Sequence, residues 1–199
     1  MRWLTIVLMP ILLGLGFTTS QAETDDGWVD LFDGETLNGW RLRGGEADIY
    51  IEDGVIVNNG VMGFSGTVLA TEKYYDDFIL KFEVKTIGVV NSGMDFRGHV
   101  MEKDTEVEAL SGSLEKSTKV IEAGSLWAYQ AEVDPTDRAW TGGLYESGRR
   151  GWLVPLVDNE PARQAYKKGD WNALKVKAEG NHIQIWINGV LALGNRHLR

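Results

Sequence analysis

Residues 129–152 read YQAEVDPTDRAWTGGLYESGRRGW, and this stretch decides the fold class. It opens with strict alternation of apolar and polar residues, which is typical of a β-strand because successive strand side chains point to opposite faces. The apolar face would hold Tyr129, Ala131 and Val133, and the polar face Gln130, Glu132 and Asp134. One face therefore packs in a core, and the other carries chemistry or meets solvent.

A second short strand is predicted at 141–146, after a loop marked by Pro135. This strand places Tyr145 and Glu146 directly ahead of a basic turn, Gly-Arg-Arg-Gly, at 148–151. Carboxylates, an amide, a phenol and two guanidinium groups thus fall within about one hairpin's length of chain.

Alternating strands and tight turns recur along the rest of the chain. Asp53-Gly54 and Asn188-Gly189 favour the positive dihedral angles of two-residue hairpin turns. Further strands are predicted at 48–52, 55–58, 78–85, 92–98, 171–178 and 182–187. With 24 glycines and eight tryptophans and few helical patterns, the sequence predicts an all-β protein, an antiparallel β-sandwich.

The strand at 92–98 repeats the division into an apolar and a polar face. Met94 and Phe96 would share the core face, and Asp95 and Arg97 the polar face. By contrast, the polar segment 103–125 is interpreted as a long loop with a short helix at 105–110.

The first 22 residues are typical of a secretory signal peptide. Arg2 precedes an apolar run at 4–17, and Ser20-Gln21-Ala22 forms a cleavage site of the small-x-small type. The chain has no cysteine, so we expect neither a lipid-modified cysteine nor a disulfide framework. We therefore expect an exported, periplasmic or secreted protein, with residues 23–199 as a single domain.

The charge balance excludes two classes of partner. With 20 basic against 29 acidic residues, the formal net charge is −9, whereas nucleic acid and anionic membranes attract positive potential. No protein partner is indicated. The chain also lacks a cysteine and histidine cluster for zinc, a glycine-rich phosphate loop and a G-x-S-x-G elbow.

What remains is the set of carboxylates. Glu132 and Asp134 lie two residues apart on one strand, about 6.6 Å between backbones. Like charges at such a spacing raise a carboxyl pKa toward the range that a general acid or base needs, and Arg97, Arg149 or Arg150 are candidate cations beside them. A solvated sheet face with ordinary ion pairs is the equal alternative. The carboxylates also suit a divalent metal, although no spacing is diagnostic of one and the cofactor stays unknown.

Two aromatic residues suit sugar recognition. Trp140 and Trp186 could stack on a sugar ring, although tryptophans more often bury area in a core. His182 fits a solvated strand position better than a catalytic one.

Four motifs, in order along the chain, resemble the 3-keto-disaccharide hydrolase domain family. They are LFDGETLNGW, NSGMDFRG, YQAEVD with TGGLYESGRRG, and GDWNALKVKAEGNHIQIWINGV, within residues 28–190. The resemblance implies a jelly-roll sandwich of the concanavalin A-like lectin and glucanase type, with a carbohydrate site on its concave side. It also implies an exported hydrolase that cleaves 3-keto-glycosides.

The implied chemistry assigns roles to residues in these motifs. A ketone at carbon 3 acidifies the hydrogen on carbon 2, so that a base can remove it and the group on carbon 1 leaves by elimination, with water adding afterwards. The expected catalytic residues are Glu132 as base or metal ligand, Glu146 as acid, and Arg97 with Arg149 or Arg150 as oxyanion stabilisers. The expected substrate-binding residues are Asp95, Gln130, Tyr145, Arg150 and Trp186.

The resemblance also gives an expectation for the end of the chain. The family continues past the INGV turn with closing strands, whereas this sequence ends in VLALGNRHLR. We therefore expect a sandwich that lacks its last strands and has reduced stability. A non-catalytic carbohydrate-binding module and an inactive fragment are the alternatives to the enzyme, because a fold does not decide function.

Overall fold

The computed structural model describes residues 27–45, 47–59, 67–88 and 90–197. The predicted signal peptide at 1–22 lies outside these residues. The described part of the chain divides into two compact units, 27–73 and 74–197. In neither does a helix have the length and apolar character needed to cross a membrane.

The first unit contains two antiparallel pairs of strands. β1 (Trp40–Arg43) pairs with β4 (Val68–Thr71), and β2 (Asp48–Glu52) pairs with β3 (Val55–Asn59). The predicted hairpin is confirmed, because its two turn residues between β2 and β3 have φ angles of 50° and 75°.

The second unit holds two larger sheets. The six-stranded sheet has the order β6-β9-β10-β11-β7-β8. Its strands are β6 (Ser92–Val100), β7 (Thr105–Leu110), β8 (Lys116–Ile121), β9 (Leu126–Val133), β10 (Leu144–Ser147) and β11 (Gly151–Val154). The described neighbours are antiparallel except for β11 and β7, which are parallel.

The four-stranded sheet has the order β14-β13-β12-β5 and is antiparallel throughout. Its strands are β5 (Phe78–Val84), β12 (Asn172–Glu179), β13 (His182–Ile187) and β14 (Val190–His197). The short helix α1 (Glu160–Ala165) precedes β12 and is capped by the Asn159 side chain, which accepts a hydrogen bond from the Ala162 amide.

The core of this unit lies between the two sheets. Met94, Phe96 and Leu144 of the six-stranded sheet are fully buried, as are the isoleucines of β13. The ring of Phe96 meets that of Phe78 on β5 edge to face, with centroids 6.0 Å apart. The predicted antiparallel β-sandwich of the jelly-roll class is therefore confirmed.

Two local predictions are wrong. Segment 103–125 is the hairpin of β7 and β8, and no helix forms at 105–110. Nearly all of β8 is exposed, so its sequence shows no buried face from which a strand could be predicted. The strand expected at 141–146 begins only at Leu144, because Gly142 adopts a φ of 91°. No strand was predicted after Gly189, where β14 forms.

Candidate active site

The candidate site lies on the face of the six-stranded sheet that is turned away from the core. Strand register places Glu132 opposite Gly93, and Gln130 opposite both Asp95 and Tyr145. Since residues directly opposite each other share a face, β6, β9 and β10 together build one polar surface. The predicted alternation of faces along β9 is confirmed.

Glu132 is the central carboxyl of this surface and is 3% exposed. Asn91 donates a hydrogen bond from Nδ2 to its Oε1. The pKa of Glu132 is raised to about 7, mainly by burial, and the nearby charges of Asp134 and Asp95 contribute to the rise. The hydrogen bond from Asn91, and more weakly the charge of Arg138, oppose this rise by favouring the ionised carboxylate.

Asp95 is the second carboxyl. Its pKa is raised to about 7 by burial, which outweighs the opposing effect of a side-chain hydrogen bond with Gln130. Its Oδ1 is buried and has no hydrogen-bond partner in the described part of the chain, although the residue as a whole is partly exposed. Asp95 and Glu132 are diagonal neighbours on adjacent strands, at about 7 Å between side-chain origins. We call these two residues the carboxyl pair.

Gly93 makes room for this arrangement. A Cβ atom built on Gly93 would lie 2.5 Å from both Cγ and Cδ of Gln130 and 2.8 Å from its Nε2. The Gln130 side chain therefore lies across the glycine, from where it reaches Asp95 on the same strand as Gly93.

Asp134 organises the loop that follows β9 rather than the reacting surface. It is fully buried, and its Oδ2 accepts a hydrogen bond from Arg138 Nε at 3.1 Å. Its Oδ1 accepts one from the Thr136 amide, and its own amide donates to Thr141 Oγ1. Arg138 Nη1 also donates to the Gly112 carbonyl at 3.0 Å, which ties this loop to the β7–β8 turn.

An aromatic wall borders the carboxyl pair on the side of β10 and β11. Tyr145 meets Trp152 edge to face with ring centroids 5.4 Å apart, and Trp152 meets Trp140 in the same way at 4.9 Å. Both tryptophans are buried, so they support the wall rather than offer a surface for stacking. Tyr145 is only partly buried, and burial followed by the charge of Glu132 raises the pKa of its hydroxyl.

The sequence predicted that Arg97 shares the polar face with Asp95, and this prediction is wrong. Arg97 has a φ of 52°, and the register between β6 and β9 shifts there as a β-bulge, so the strict alternation ends. Its guanidinium is buried and donates to the carbonyls of Gly180 and Asp76 and to Asp77 Oδ1. It therefore joins β6 to the four-stranded sheet.

Glu146 and the two arginines of the basic turn also lie away from the carboxyl pair. Glu146 stands opposite Tyr129 in the register, on the core side of the sheet. It is fully buried, and Arg150 donates to both of its carboxylate oxygens at 2.7 Å. Arg149 completes the cluster with an ion pair at 3.0 Å. The structure therefore does not bring these three residues together with Glu132.

Trp186 lies on the other sheet. It alternates with the buried isoleucines of β13 and so faces outward, away from the core. Lys175 on β12 covers its ring, with Nζ 3.6 Å from the centroid. Of the nine predicted site residues, the structure groups Asp95, Gln130, Glu132 and Tyr145.

Sequence reasoning missed three residues that shape the site. Asn91 and Gly93 stand within NSGMDFRG, and Trp152 closes the stretch 129–152. The sequence signal for Gly93 was its position in a strand, two residues before Asp95. An isolated glycine in a strand often marks a place where another group approaches the backbone closely. Asn91 directly precedes β6, and only the fold shows that its side chain reaches Glu132.

The described residues contain no group of three or more histidine, aspartate or glutamate side chains that could hold a metal ion. The carboxyl pair, with its amide and phenol neighbours, is suited to moving protons, because two carboxyl groups with pKa values near neutrality can serve as acid and base.

Most glycoside-cleaving enzymes use a pair of carboxyl groups. The family model of the 3-keto-alpha-glucoside-1,2-lyase-like domain matches residues 27–198, and the chain belongs to this family. The family is one of carbohydrate-related hydrolases and lyases. A comparison with curated proteins gives no match.

Proposed function

We propose that this protein cleaves 3-keto-glycosides by removing the proton on carbon 2, eliminating the group on carbon 1, and adding water to the product. The observation that carries this proposal is the carboxyl pair: a buried Glu132 and a partly buried Asp95 on adjacent strands, each with a pKa of about 7. Membership of the family supplies the substrate class.

The hydrogen-bond partners favour one assignment of the two roles. Glu132 receives a hydrogen bond from Asn91, and donors of this kind stabilise the ionised form, so Glu132 is the base. Asp95 also has a side-chain hydrogen bond with Gln130, but its buried Oδ1 receives none from the described residues, which favours its protonated form. Asp95 is therefore the acid.

The reaction balances with these two groups. The Glu132 carboxylate takes the proton from carbon 2, and the electron pair of that C–H bond forms an enolate with the 3-keto group. Collapse of the enolate breaks the bond between carbon 1 and the leaving oxygen, which takes the proton of Asp95. Addition of water to the new double bond then gives net hydrolysis. The pair returns to its starting state by passing one proton from Glu132 to Asp95 through solvent.

The test measures release of the leaving group from 4-nitrophenyl 3-keto-α-glucoside and from a 3-keto-disaccharide. Glu132→Gln keeps the shape of the side chain and removes its basicity, so we expect kcat to fall at least 100-fold on both substrates. Asp95→Asn should reduce cleavage of the disaccharide far more than that of the nitrophenyl compound, because 4-nitrophenolate leaves without a proton.

Glu83→Gln is the matched control, since Glu83 is exposed on the outer face of β5 in the other sheet. The unoxidised glucoside should not react, as it has no acidified hydrogen on carbon 2. Full activity of a folded Glu132→Gln variant would sink the proposal. Binding of the keto-sugar without cleavage by the wild type would point to a carbohydrate-binding module instead.

A further inference from the structure

We propose that Tyr145 is a catalytic residue whose hydroxyl donates a hydrogen bond to the carbon 3 oxygen as negative charge develops on it. This inference rests on the proposed function. Proton removal next to a ketone places the charge on the ketone oxygen, and a positioned donor at that oxygen is commonly the largest single contribution to rate. The site therefore needs a donor beside the base.

The cations expected for this task lie elsewhere. Arg97 is committed to the four-stranded sheet, and Arg149 and Arg150 to Glu146 on the core side. Arg138 has its Nε on Asp134 and its Nη1 on the Gly112 carbonyl. Among the described residues of the polar face, the hydrogen-bond donor that suits the enolate oxygen is therefore an uncharged side chain.

Tyr145 has the required position. It stands directly opposite Gln130 on β10 and is the diagonal neighbour of Glu132, about 7 Å away at the side-chain origins. Carbon 2 and the carbon 3 oxygen are separated by one carbon atom, so the base and the donor must approach the sugar side by side. Within the described residues, no hydrogen bond holds the Tyr145 hydroxyl, which leaves it available to a ligand.

The ring of Tyr145 is also held in place before substrate binds. Trp152 meets it edge to face, and the buried Trp140 supports Trp152 from behind. A donor that is fixed in advance costs no reorganisation when the charge develops. Burial and the neighbouring Glu132 charge keep the hydroxyl protonated, because they raise its pKa above the ordinary value of 10.0.

The assignment fixes the direction of the substrate. Asp95, Glu132 and Tyr145 lie on β6, β9 and β10, which are consecutive neighbours in the sheet. The leaving group on carbon 1 therefore points toward β6, carbon 2 lies over β9, and the keto group points toward β10. The sugar ring lies across the strands rather than along them.

Tyr145→Phe tests the inference, since it removes the hydroxyl and keeps the ring against Trp152. Two rates are measured: aglycone release, and exchange of the carbon 2 hydrogen in D₂O followed by NMR with a poor leaving group. We expect both to fall about 100-fold or more, with KM within a few-fold of wild type and an unchanged melting temperature. Asp95→Asn should slow release while leaving exchange nearly intact, because enolate formation precedes departure of the leaving group.

Tyr129→Phe is the control: Tyr129 lies on the neighbouring strand but faces the core side, and both rates should stay at wild-type values. Wild-type release and exchange in Tyr145→Phe, together with an inactive Glu132→Gln, would overturn the role of Tyr145 alone. A fall in melting temperature with unchanged rates would show that Tyr145 only packs. If Glu132→Gln keeps full activity, the proposed function itself fails.

Discussion

At the residue scale, Gly93 is the position on which the geometry of the carboxyl pair depends. A methyl group at this position would overlap Gln130, whose side chain must then swing away from Asp95. We expect Gly93→Ala to fold, because a flexible side chain can move at low cost. Loss of the hydrogen bond should reduce kcat/KM about tenfold, which corresponds to about 1.4 kcal/mol. It should also raise the pKa of Asp95, because that hydrogen bond lowers it.

The measurement is the dependence of kcat/KM on pH for the two proteins. In the variant, the limb that reports Asp95 should move to higher pH, whereas a purely structural defect would lower the rate without moving the limb. Gly194→Ala is the matched control, since a Cβ there meets only Leu191 Cδ2, at 3.9 Å. Superimposable profiles for Gly93→Ala and wild type would show that Gln130 does not position Asp95.

At the scale of elements, the β-bulge in β6 decides what Arg97 does. Its guanidinium donates to two backbone carbonyls and to Asp77, whose Oδ1 also accepts the Gly180 amide at 2.8 Å. Arg97→Ala leaves these acceptors without their charged donor, so we expect the free energy of unfolding in urea to fall by about 2 to 4 kcal/mol. The folded variant should keep the kcat of wild type, because the Arg97 side chain bonds to Asp76, Asp77 and Gly180 rather than to the carboxyl pair.

Asp77→Asn is the comparison for Arg97→Ala. The Asp77 side chain is 60% exposed, so this change should cost much less stability. Arg97→Ala could instead lose turnover while its unfolding midpoint stays unchanged. In that case Arg97 would stabilise the enolate, as the sequence predicted, and its contacts with the four-stranded sheet would contribute little to stability.

The bulge also shows why the sequence predicted the strands better than the site. A period of two identified β5, β9, β12 and β13, because in each an apolar face packs in the core. The same period failed for Arg97, since one residue with positive φ reverses the alternation. The period also could not show that Glu146 and Glu132 lie on opposite faces of the sheet. The pairing register of β9 and β10 is set by loop geometry and packing, which the period does not contain.

At the scale of the whole molecule, the carboxyl pair couples stability to pH. In the folded protein Asp95 and Glu132 have pKa values of about 7, against ordinary values of 3.8 and 4.5. Between about pH 4 and pH 7 the folded state therefore holds protons that the unfolded state has released. The stabilising effect of this difference is complete below about pH 4, and it is lost as the pH rises through 7.

Because other groups also titrate over this range, the prediction is made for a difference between two proteins. The double variant Asp95→Asn with Glu132→Gln cannot ionise at these positions, so its free energy of unfolding relative to wild type should increase between pH 4 and pH 8. One pKa unit corresponds to about 1.4 kcal/mol, and we expect an increase of at least ~2 kcal/mol from urea unfolding at the two pH values. A difference that stays constant with pH would show that the two carboxyls ionise at their ordinary pKa values. In that case the pair could not exchange a proton near neutrality, and the acid and base roles assigned to Asp95 and Glu132 would lose their basis.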